Sequence, residues 1–385
     1  MPIYLDNNAT TFLDPRVLEA MRPYLAGAYG NPSSVHRYGR AARDAIEAAR
    51  AQIGALVNAK PVQVVFTSCA TESNNLAVRG VLAKSKPGRV LISAVEHPSV
   101  WELFEPLKKE GWRCEWIPVG RDGVIDNAWL VRALAQGEVR LVSVMYANNE
   151  TGVIQEAAAI GRLCRQHGAA YHCDAVQAAG KLPLDFLATG AHSMTLSSHK
   201  MYGPKGVAAL VLDRALDIAP LMYGGGHEAG LRPGTENAAA IVGFGVTAEL
   251  ARVELAERAA HCLALREQLE AGLRRLSGIV IFGESRERLP NTTQFSLPGF
   301  DGEALLMALD RKGIAVSSGS ACTAGKGEPS HVLLGMGVER GLAKGAVRVS
   351  LGKDNTSAEV EKLLAALREL AGSAGTAIPS VAVGG

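Results

Sequence analysis

The chain is predicted to adopt an α/β fold with a mainly parallel sheet and a second, smaller α+β unit. Over the first two-thirds, continuously apolar β-rich runs alternate with Ala-rich stretches of helical periodicity. A strand is apolar along its whole length when helices cover both faces of its sheet. At 385 residues the chain is also longer than one simple core usually supports, which favours two domains.

The strands of the first unit are predicted where the apolar runs fall. They are 62–67, 89–94, 140–146, 169–173, 194–197 and 207–212. Residues 247–276 carry a long helical pattern that leads to the second unit. Strands and helices of that unit are predicted at 278–282, 293–297, 302–310, 314–317, 346–351 and 357–370. Ligands of such sheets bind in the loops that follow the strands.

The composition argues against several classes of function. The 40 basic residues nearly balance 38 acidic ones, for a net charge of +2, so neither nucleic acid nor an anionic membrane is expected as a partner. The first residues lack the basic and apolar regions of a signal peptide, and no apolar run approaches the roughly 20 residues that span a bilayer. Six cysteines without paired spacing argue against a disulfide framework. We therefore expect a cytoplasmic protein.

Lys200 is the strongest candidate for covalent chemistry. It follows the strand predicted at 194–197, in the motif SSHK, and a Gly/Pro turn comes next. An aldehyde cofactor needs such a lysine, because its amine binds the aldehyde and can later move protons. Taken alone, the motif also fits a surface lysine in a polar turn.

Asp174 strengthens the covalent interpretation, because it ends the strand that lies one strand–helix–strand step before Lys200. A carboxylate beside the ring nitrogen of pyridoxal phosphate (PLP) keeps that nitrogen protonated, so that the ring withdraws electrons. The alternative use of an aspartate at this place is a helix N-cap. Gln177, three residues further on, is placed to reach the phenolic oxygen of the ring.

The phosphate of such a cofactor needs hydrogen-bond donors. The segment that starts Ala70-Thr71 follows a predicted strand and opens a helix, so it offers backbone N–H groups and a hydroxyl. Ser197 and His199 are placed to close the other side, and His97, at the end of a neighbouring strand, is placed to stack on the ring. Taken singly, these residues also fit a capping box and a structural histidine.

Together, the motifs resemble the NifS/IscS-type (group I) cysteine desulfurases, a class-V branch of the PLP-dependent aminotransferases. The matching segments keep their order along most of the chain, at 4–11, 31–36, 67–75, 96–97, 148–152, 174–177, 197–206, 224–235, 317–322 and 347–352. The resemblance implies the aspartate-aminotransferase-like fold type I, with a mainly parallel seven-stranded sheet in a large PLP-binding domain over 16–255. It implies a small domain formed by 1–15 and 256–385.

The resemblance also implies roles for individual residues. Lys200 forms the Schiff base with PLP, Asp174 contacts the pyridine nitrogen, and His97 stacks on the ring and transfers protons. Further cofactor contacts are implied for Ala70, Thr71, Asn148, Gln177, Ser197, His199 and Thr235. Asn148 also contacts the substrate. Thr235 matches the residue that family dimers extend into the partner's phosphate site, so a homodimer is implied, although the segment 224–235 alone also fits an ordinary loop.

Cys322 lies in a Gly/Ser-rich stretch whose composition favours a mobile backbone. A mobile thiol suits one task, which is to take sulfur from a bound substrate and carry it away. A thiol with a pKa near ~8.5 is mostly protonated at neutral pH, so His97 or the substrate amine must draw off its proton. Alone, the motif fits an exposed cysteine; the resemblance implies the catalytic, sulfur-carrying residue, in a loop at about 317–330.

Arg348, on the strand predicted at 346–351, is the matching candidate for the substrate carboxylate, which a guanidinium holds through two parallel hydrogen bonds. The alternative is a surface ion pair. One departure is Cys69, which stands where the family often has Gly and fits a packing substitution.

The implied activity converts L-cysteine to L-alanine and leaves a persulfide on Cys322. The implied sulfur acceptor is an iron–sulfur scaffold or a sulfur relay protein, for cluster assembly or tRNA thiolation. The last residues, 379–385, lack the acidic-aromatic extension of housekeeping members, which favours a NifS-like enzyme.

Two other functions stay open. One is a selenocysteine lyase or another class-V aminotransferase on the same PLP frame, for which Cys322 is dispensable. The other is a sulfur-carrying or metal-binding scaffold without catalysis, which would use Cys164, His167, His172 and Cys173. Their helix-then-strand placement makes convergence awkward, so no metal site is predicted.

Overall fold

The computed structural model describes residues 2–297, 300–318 and 328–375, the last three without their side chains. Its strands are β1 (Ile3–Tyr4), β2 (Val64–Thr67), β3 (Arg89–Ser93), β4 (Arg113–Ile117), β5 (Val139–Ser143), β6 (Ala170–Asp174), β7 (Ser193–Ser197), β8 (Ala208–Leu212), β9 (Val280–Ile281), β10 (Thr292–Ser296), β11 (Ile314–Ala315) and β12 (Ala346–Ser350).

The α-helices of the same ranges are α1 (Pro15–Ala26), α2 (Arg37–Leu56), α3 (Ala70–Ala83), α4 (Pro98–Trp101), α5 (Phe104–Lys109), α6 (Asn127–Ala135), α7 (Ala157–Gln166), α8 (Phe186–Thr189), α9 (Ala238–Val253), α10 (Leu255–Leu273), α11 (Gly302–Arg311), α12 (His331–Gly335), α13 (Arg340–Lys344) and α14 (Ser357–Gly375). None of these helices, over the part of the chain that is described, is long and apolar enough to cross a membrane.

A seven-stranded sheet forms the centre of the molecule, in the order β2-β8-β7-β6-β5-β3-β4. From β7 to β4 the neighbouring strands pair in parallel, whereas β8 is antiparallel to both β7 and β2. Each parallel step needs a crossover, and helices supply it on both faces. The prediction of a mainly parallel seven-stranded sheet is confirmed.

The two faces of this sheet belong to different hydrophobic clusters, as alternating side chains require. Val64 and Phe66 of β2 pack in the cluster that contains α2 and α9, whereas Val65 packs with α3 on the opposite face. Helices α2 and α9 approach very closely. A β-carbon added to Gly245 of α9 would lie 2.6 Å from the Cα of Ala49 in α2, so glycine permits this contact.

The observed element bounds differ from the predicted ones for identifiable reasons. The strand predicted at 140–146 ends at Ser143, and beyond it the N–H of Met145 donates to the side chain of Glu96 at 2.7 Å instead of to a strand. β4 is absent from the predicted strands, since this edge strand is partly exposed and lacks a continuous apolar run. The helical pattern at 247–276 belongs to two helices, α9 and α10, which meet at Glu254 with backbone angles outside the helical region.

A second unit surrounds the three strands β9, β10 and β12, which pair antiparallel around β10. The N-terminal strand β1 joins this unit by parallel pairing with β11. Apolar residues of β1, β10 and β12 pack with those of α10, α11 and α14 in one cluster. The domain boundaries predicted after residues 15 and 255 stay a prediction.

Candidate active site

The carboxyl ends of four neighbouring strands lie at one edge of the central sheet. Asp174 ends β6, Lys200 follows β7, Asn148 follows β5 and His97 follows β3. Because parallel strands end at the same edge, residues that are far apart in sequence meet there. Asn74 donates to both the Asp174 carboxylate and the Ser99 hydroxyl, and that hydroxyl lies 2.8 Å from His97 Nδ1, so Asp174 and His97 are close to each other.

Lys200 lies in a short 3-10 turn, and its amine points at the N-terminal segment. The Nζ donates to the backbone carbonyl oxygens of Asn8 at 2.6 Å and Ala9 at 2.8 Å. The same segment is also fixed through Thr11, whose hydroxyl accepts a hydrogen bond of 2.7 Å from the N–H of Tyr202. The N-terminal motif therefore positions the predicted covalent lysine.

Asp174 is buried at the end of β6, and both of its carboxylate oxygens accept hydrogen bonds. Its Oδ1 accepts from the N–H of Val176 at 3.0 Å, which orders the turn after β6. Its Oδ2 accepts from the side-chain amide of Asn74 at 2.8 Å. The carboxylate is thus fixed in orientation at the carboxyl end of β6.

His97 is the N-cap residue of α4. Its Nδ1 lies 3.1 Å from the backbone nitrogen of Ser99, which donates to it, and 2.8 Å from the Ser99 hydroxyl. Burial lowers the pKa of His97, and the charge of Asp174 acts in the opposite direction. The ring is therefore neutral near pH 7.

The amide side chains of Asn148 and Gln177 both make hydrogen bonds within the chain. Asn148 donates to the carbonyl of Val95 at 2.9 Å and accepts from the N–H groups of Glu150 and Thr151, each at 2.9 Å. It thereby builds the turn after β5. The predicted contacts of Asn148 with cofactor and substrate stay a prediction.

Gln177 lies between the N-terminal segment and a buried lysine. Its Nε2 donates to the carbonyl of Asn8 at 3.0 Å, and its Oε1 accepts from Lys181 Nζ at 2.7 Å. Burial lowers the pKa of Lys181 to about 7, and the nearby positive charge of Lys200 acts in the same direction. Gln177 is thus held in one orientation beside the candidate site.

The residues predicted to bind phosphate flank the start of α3 and the end of β7. Ala70 and Thr71 open α3, where the first N–H groups of a helix have no intrahelical acceptor. The Ser197 hydroxyl is buried without a hydrogen-bond partner among the described residues. His199 contacts the Thr10 hydroxyl at 3.1 Å, and burial lowers its pKa to about 4.

Thr235 is exposed, at the end of a segment that is fastened to the central sheet. Buried Glu228 accepts from both Arg50 Nη atoms, at 2.7 and 2.8 Å, and from the N–H of Phe66 at 2.7 Å. Glu228 and Ala229 both have positive φ angles, 48° and 54°, a backbone conformation that residues other than glycine rarely adopt. The ion pair holds this strained turn in place.

Arg348 is 2% exposed, so its ion pair is buried rather than on the surface. Nη2 donates to Asp6 Oδ1 at 2.6 Å and Nη1 to the carbonyl of Asn149 at 3.0 Å. A substrate carboxylate that pairs with this guanidinium competes with Asp6.

Cys322 lies outside the described residues, but the residues on either side of that gap contact the site. Ser317 and Arg348 exchange backbone hydrogen bonds of 3.1 and 2.6 Å. The Ser330 hydroxyl donates to the buried carboxylate of Glu150 at 2.6 Å. Glu150 belongs to the turn that Asn148 builds.

Two of the other described cysteines, Cys164 and Cys173, do not resemble reactive thiols. Cys164 and Cys173 are fully buried, and burial raises the pKa of both, to about 12 for Cys164. Cys69 is exposed beside the start of α3 and accepts from the Ser68 hydroxyl at 3.7 Å. Across 2–297, 300–318 and 328–375, no three His, Cys, Asp or Glu side chains converge as metal ligands, so the scaffold hypothesis gains no support.

Sequence reasoning missed three residues that organise the site, namely Asn8, Asn74 and Lys181. Asn8 accepts from Lys200 and Gln177 through its carbonyl and from Lys181 through Oδ1 at 3.1 Å. The only sequence signal for Asn8 is its place in the matching segment 4–11. Asn74 lies in the polar stretch 71–75 and Lys181 in the mainly apolar stretch 178–184, and the partners of both become visible only in the folded chain.

A model of the family described as aminotransferase class-V matches residues 3–363. The chain belongs to the aminotransferase class-V family.

Class-V relatives resemble the chain over nearly its full length. The cysteine desulfurase IscS of Anaeromyxobacter sp. (strain Fw109-5) is 45% identical over 94% of this chain and 91% of its own. A cysteine desulfurase of Trichormus azollae is 41% identical over 96% of this chain and 92% of its own. The solved NifS-like protein of Rickettsia africae superimposes with a TM-score of 0.88 at 36% identity, covering 96% of this chain and 99% of its own.

Proposed function

We propose that the chain is a PLP-dependent cysteine desulfurase, which converts L-cysteine to L-alanine and keeps the sulfur as a persulfide on Cys322. The observation that carries this proposal is the meeting of Lys200, Asp174 and His97 at adjacent strand ends. Chains of 41 to 45% identity over more than nine-tenths of the length bear the same activity in their names.

The side chains at the strand ends fit PLP. Asp174 offers a fixed, buried carboxylate for a protonated ring nitrogen, and Lys200 offers an amine. The Ser197 hydroxyl, buried without a partner among the described residues, suits a phosphate oxygen beside the first turn of α3. When bound, PLP supplies an aldehyde that binds amines and a ring that takes up the electron pair of the substrate α-carbon.

The chain's own residues bind, orient and move protons. Arg348 pairs with the substrate carboxylate and releases Asp6, which fixes the amino acid in one orientation. Lys200 moves a proton at the substrate α-carbon, because its amine already lies at this edge of the sheet beside the Asn8 carbonyl.

Cys322 carries out the sulfur step. Its thiolate attacks the substrate sulfur, a new S–S bond forms, and the carbon–sulfur bond breaks with its electron pair left on carbon. That carbon takes a proton and becomes the methyl group of alanine. The persulfide then passes its terminal sulfur to an acceptor thiol, on an iron–sulfur scaffold or a sulfur relay protein.

The proposed assembly is a homodimer, and an exposed apolar surface supports it. This surface consists of Tyr29, Val35, Tyr38, Leu221, Met222 and Tyr223, of which Val35 and Tyr223 are 87% and 89% exposed. The Ser33 hydroxyl lies 3.4 Å from His227 Nε2, which joins the two loops that carry the surface. Thr235 ends the second of these loops, so a partner docked there lies close to its hydroxyl.

The test measures alanine and sulfide released from cysteine in the presence of a reducing thiol, with absorbance of bound PLP followed in parallel. We expect Cys322→Ala to lose at least ~100-fold in sulfide release while keeping PLP absorbance, because binding does not need the thiol. Lys200→Ala should lose both alanine and the borohydride-trapped adduct.

The matched control is Cys69→Ala, which removes an exposed thiol beside α3 and should keep full activity. A Cys322→Ala variant that releases sulfide at the wild-type rate would contradict the proposal. A purified chain that binds no PLP when PLP is supplied would also contradict the proposal.

A further inference from the structure

A series of hydrogen bonds links Asp174 to His97 at the candidate site. The Nδ1 atom of His97 lies 3.1 Å from the backbone nitrogen of Ser99 and 2.8 Å from its hydroxyl oxygen. A backbone N–H can only donate, so Nδ1 must present a lone pair. A neutral imidazole has one proton, and that proton is then on Nε2.

The Ser99 hydroxyl is oriented by Asn74. Asn74 Nδ2 donates to the Ser99 oxygen at 2.8 Å, so the hydroxyl accepts from Asn74 and its own proton is directed to His97 Nδ1. Serine suits this place because one hydroxyl accepts and donates at once.

The orientation of the Asn74 amide is fixed in turn by two further partners. Its Nδ2 also donates to Asp174 Oδ2 at 2.8 Å, and its Oδ1 lies 3.1 Å from His172 Nε2. A flipped amide would place a carbonyl oxygen against the Asp174 carboxylate, which is repulsive. Asn74 and His172 are fully buried, so water does not replace these bonds.

The groups that face His97 favour its neutral form on balance. Burial lowers the pKa of His97 most, the negative charge of Asp174 raises it, and the interactions with Lys200, His331 and Arg348 lower it. Burial likewise lowers the pKa of His172 to about 4, so that this ring is neutral and donates from Nε2 to Asn74.

We propose that Ser99 and Asn74 are positioning residues that hold His97 in the tautomer with its proton on Nε2. The pair links Asp174, the predicted partner of the cofactor nitrogen, to the predicted proton-transfer residue through two side chains. Asn74 donates to the Asp174 carboxylate and to Ser99, and Ser99 donates to His97. The whole relay lies on α3, α4 and β6, at the carboxyl edge of the sheet.

The tautomer determines whether His97 donates a hydrogen bond to the reacting atoms or accepts a proton from them, a consequence that rests on the proposed function. With its proton on Nε2, the outward nitrogen has no lone pair and donates a hydrogen bond to the reacting atoms. It therefore does not take the proton of the Cys322 thiol. Of the two bases considered for that proton, His97 and the substrate amine, this leaves the substrate amine.

The test is ¹⁵N NMR of the full chain labelled at its 9 histidines, with the His97 signals assigned by their loss in His97→Gln. Nitrogens that carry a proton and nitrogens with a lone pair give well-separated signals. We expect a proton on Nε2 and a lone pair on Nδ1 in the wild-type chain. A proton on Nδ1 would overturn the inference whether or not any variant folds.

Ser99→Ala tests the positioning role. Losing the hydroxyl removes a donor to the neutral ring, so the His97 titration midpoint should rise by about 0.5–1 pH unit. In the active enzyme kcat should fall about 5-fold with KM unchanged, since Ser99 does not touch substrate. Ser99→Thr keeps a hydroxyl and should therefore keep the wild-type titration midpoint of His97 and the wild-type kcat.

The matched control is Ser85→Ala, which removes a serine hydroxyl that donates to the Val81 carbonyl at 2.8 Å, near the C-terminal end of α3. It should leave the His97 tautomer and titration midpoint unchanged. If Ser99→Ala leaves the His97 tautomer and midpoint at wild-type values, the positioning role is wrong. The NMR result is independent of sulfide release, so failure of the proposed function is scored separately.

Discussion

Glu96 shows how one buried side chain can make the folded state sensitive to pH. It is fully buried, it accepts from the Met145 N–H through Oε1, and Oε2 has no partner among the described residues. Burial raises the pKa of Glu96 to about 8, and the nearby Asp174 charge acts in the same direction. The carboxyl therefore keeps its proton at neutral pH, next to the site but without a role in the proposed reaction.

Glu96→Gln should remove this pH sensitivity. The folded chain holds the Glu96 proton up to about pH 8, whereas an unfolded glutamate loses it near ~4.3. Between these values the folded state binds more protons, so the wild-type free energy of unfolding falls as pH rises. Urea unfolding at pH 5 and pH 8 should show that Glu96→Gln lacks roughly 3–5 kcal/mol of this decline.

The control for Glu96→Gln is Glu257→Gln, which neutralises an exposed carboxyl in the first turn of α10. It should keep the wild-type dependence on pH. Parallel pH profiles for wild type and Glu96→Gln would show that Glu96 ionises normally and contradict the argument.

At the scale of helices and strands, the packing of α2 against α9 depends on Gly245. A β-carbon there would meet the Ala49 Cα at 2.6 Å and the Ala49 Cβ at 2.7 Å. Backbone of a neighbouring helix does not move aside as a flexible side chain does. The pair must separate to admit even one methyl group.

Gly245→Ala should therefore destabilise the chain by about 1–3 kcal/mol, measured as a lower urea midpoint with an unchanged slope. Gly372→Ala provides a matched helical control, because a β-carbon at that exposed position of α14 meets nothing within 4 Å. There the exchange should raise stability by up to about 1 kcal/mol. Equal effects from both variants would rule out the steric explanation.

Periodicity predicted those elements whose burial is uniform along their length. β3 and β7 are buried at every residue and were expected within one residue of their observed ends. β4 was missed because its edge position leaves side chains partly exposed. The break at Glu254 was missed because the helical pattern continues across it, and its ion pair with Arg16 joins residues that are distant in sequence.

The site was predictable to the extent that its residues sit in motifs at strand ends. Lys200, Asp174 and His97 are of this kind. The partners of those residues were not, because Asn8, Asn74 and Ser99 act through hydrogen bonds made only after the chain folds. Residue type alone does not tell a structural amide from one that orients a catalytic group.

At the scale of the whole molecule, the exposed apolar surface predicts self-association. Tyr223→Asp places a charge in that surface, and burying an unpaired charge in an interface is costly. Sedimentation should show dimers for wild type and mainly monomers for the variant at micromolar concentration. Bound PLP should fall with the dimer, because Thr235 is predicted to complete the partner's phosphate site.

The control is Leu187→Asp, which changes an exposed apolar residue of α8 outside the apolar surface and should leave the dimer intact. A Tyr223→Asp chain that stays dimeric would place the subunit contact elsewhere. A monomer that binds PLP as tightly as wild type would refute the shared site.

The pairing of the N-terminal segment with the last strands has a consequence for biosynthesis. The Asn7 side chain donates to the carbonyl of Ser350, 343 positions later, and β1 pairs with β11. A ribosome makes these partners only after the strands of the central sheet, so the segment that holds Lys200 stays unpaired while that sheet is already made. Binding of PLP is therefore expected only after β11 and β12 have been made, when the Asn8 carbonyl has reached its place.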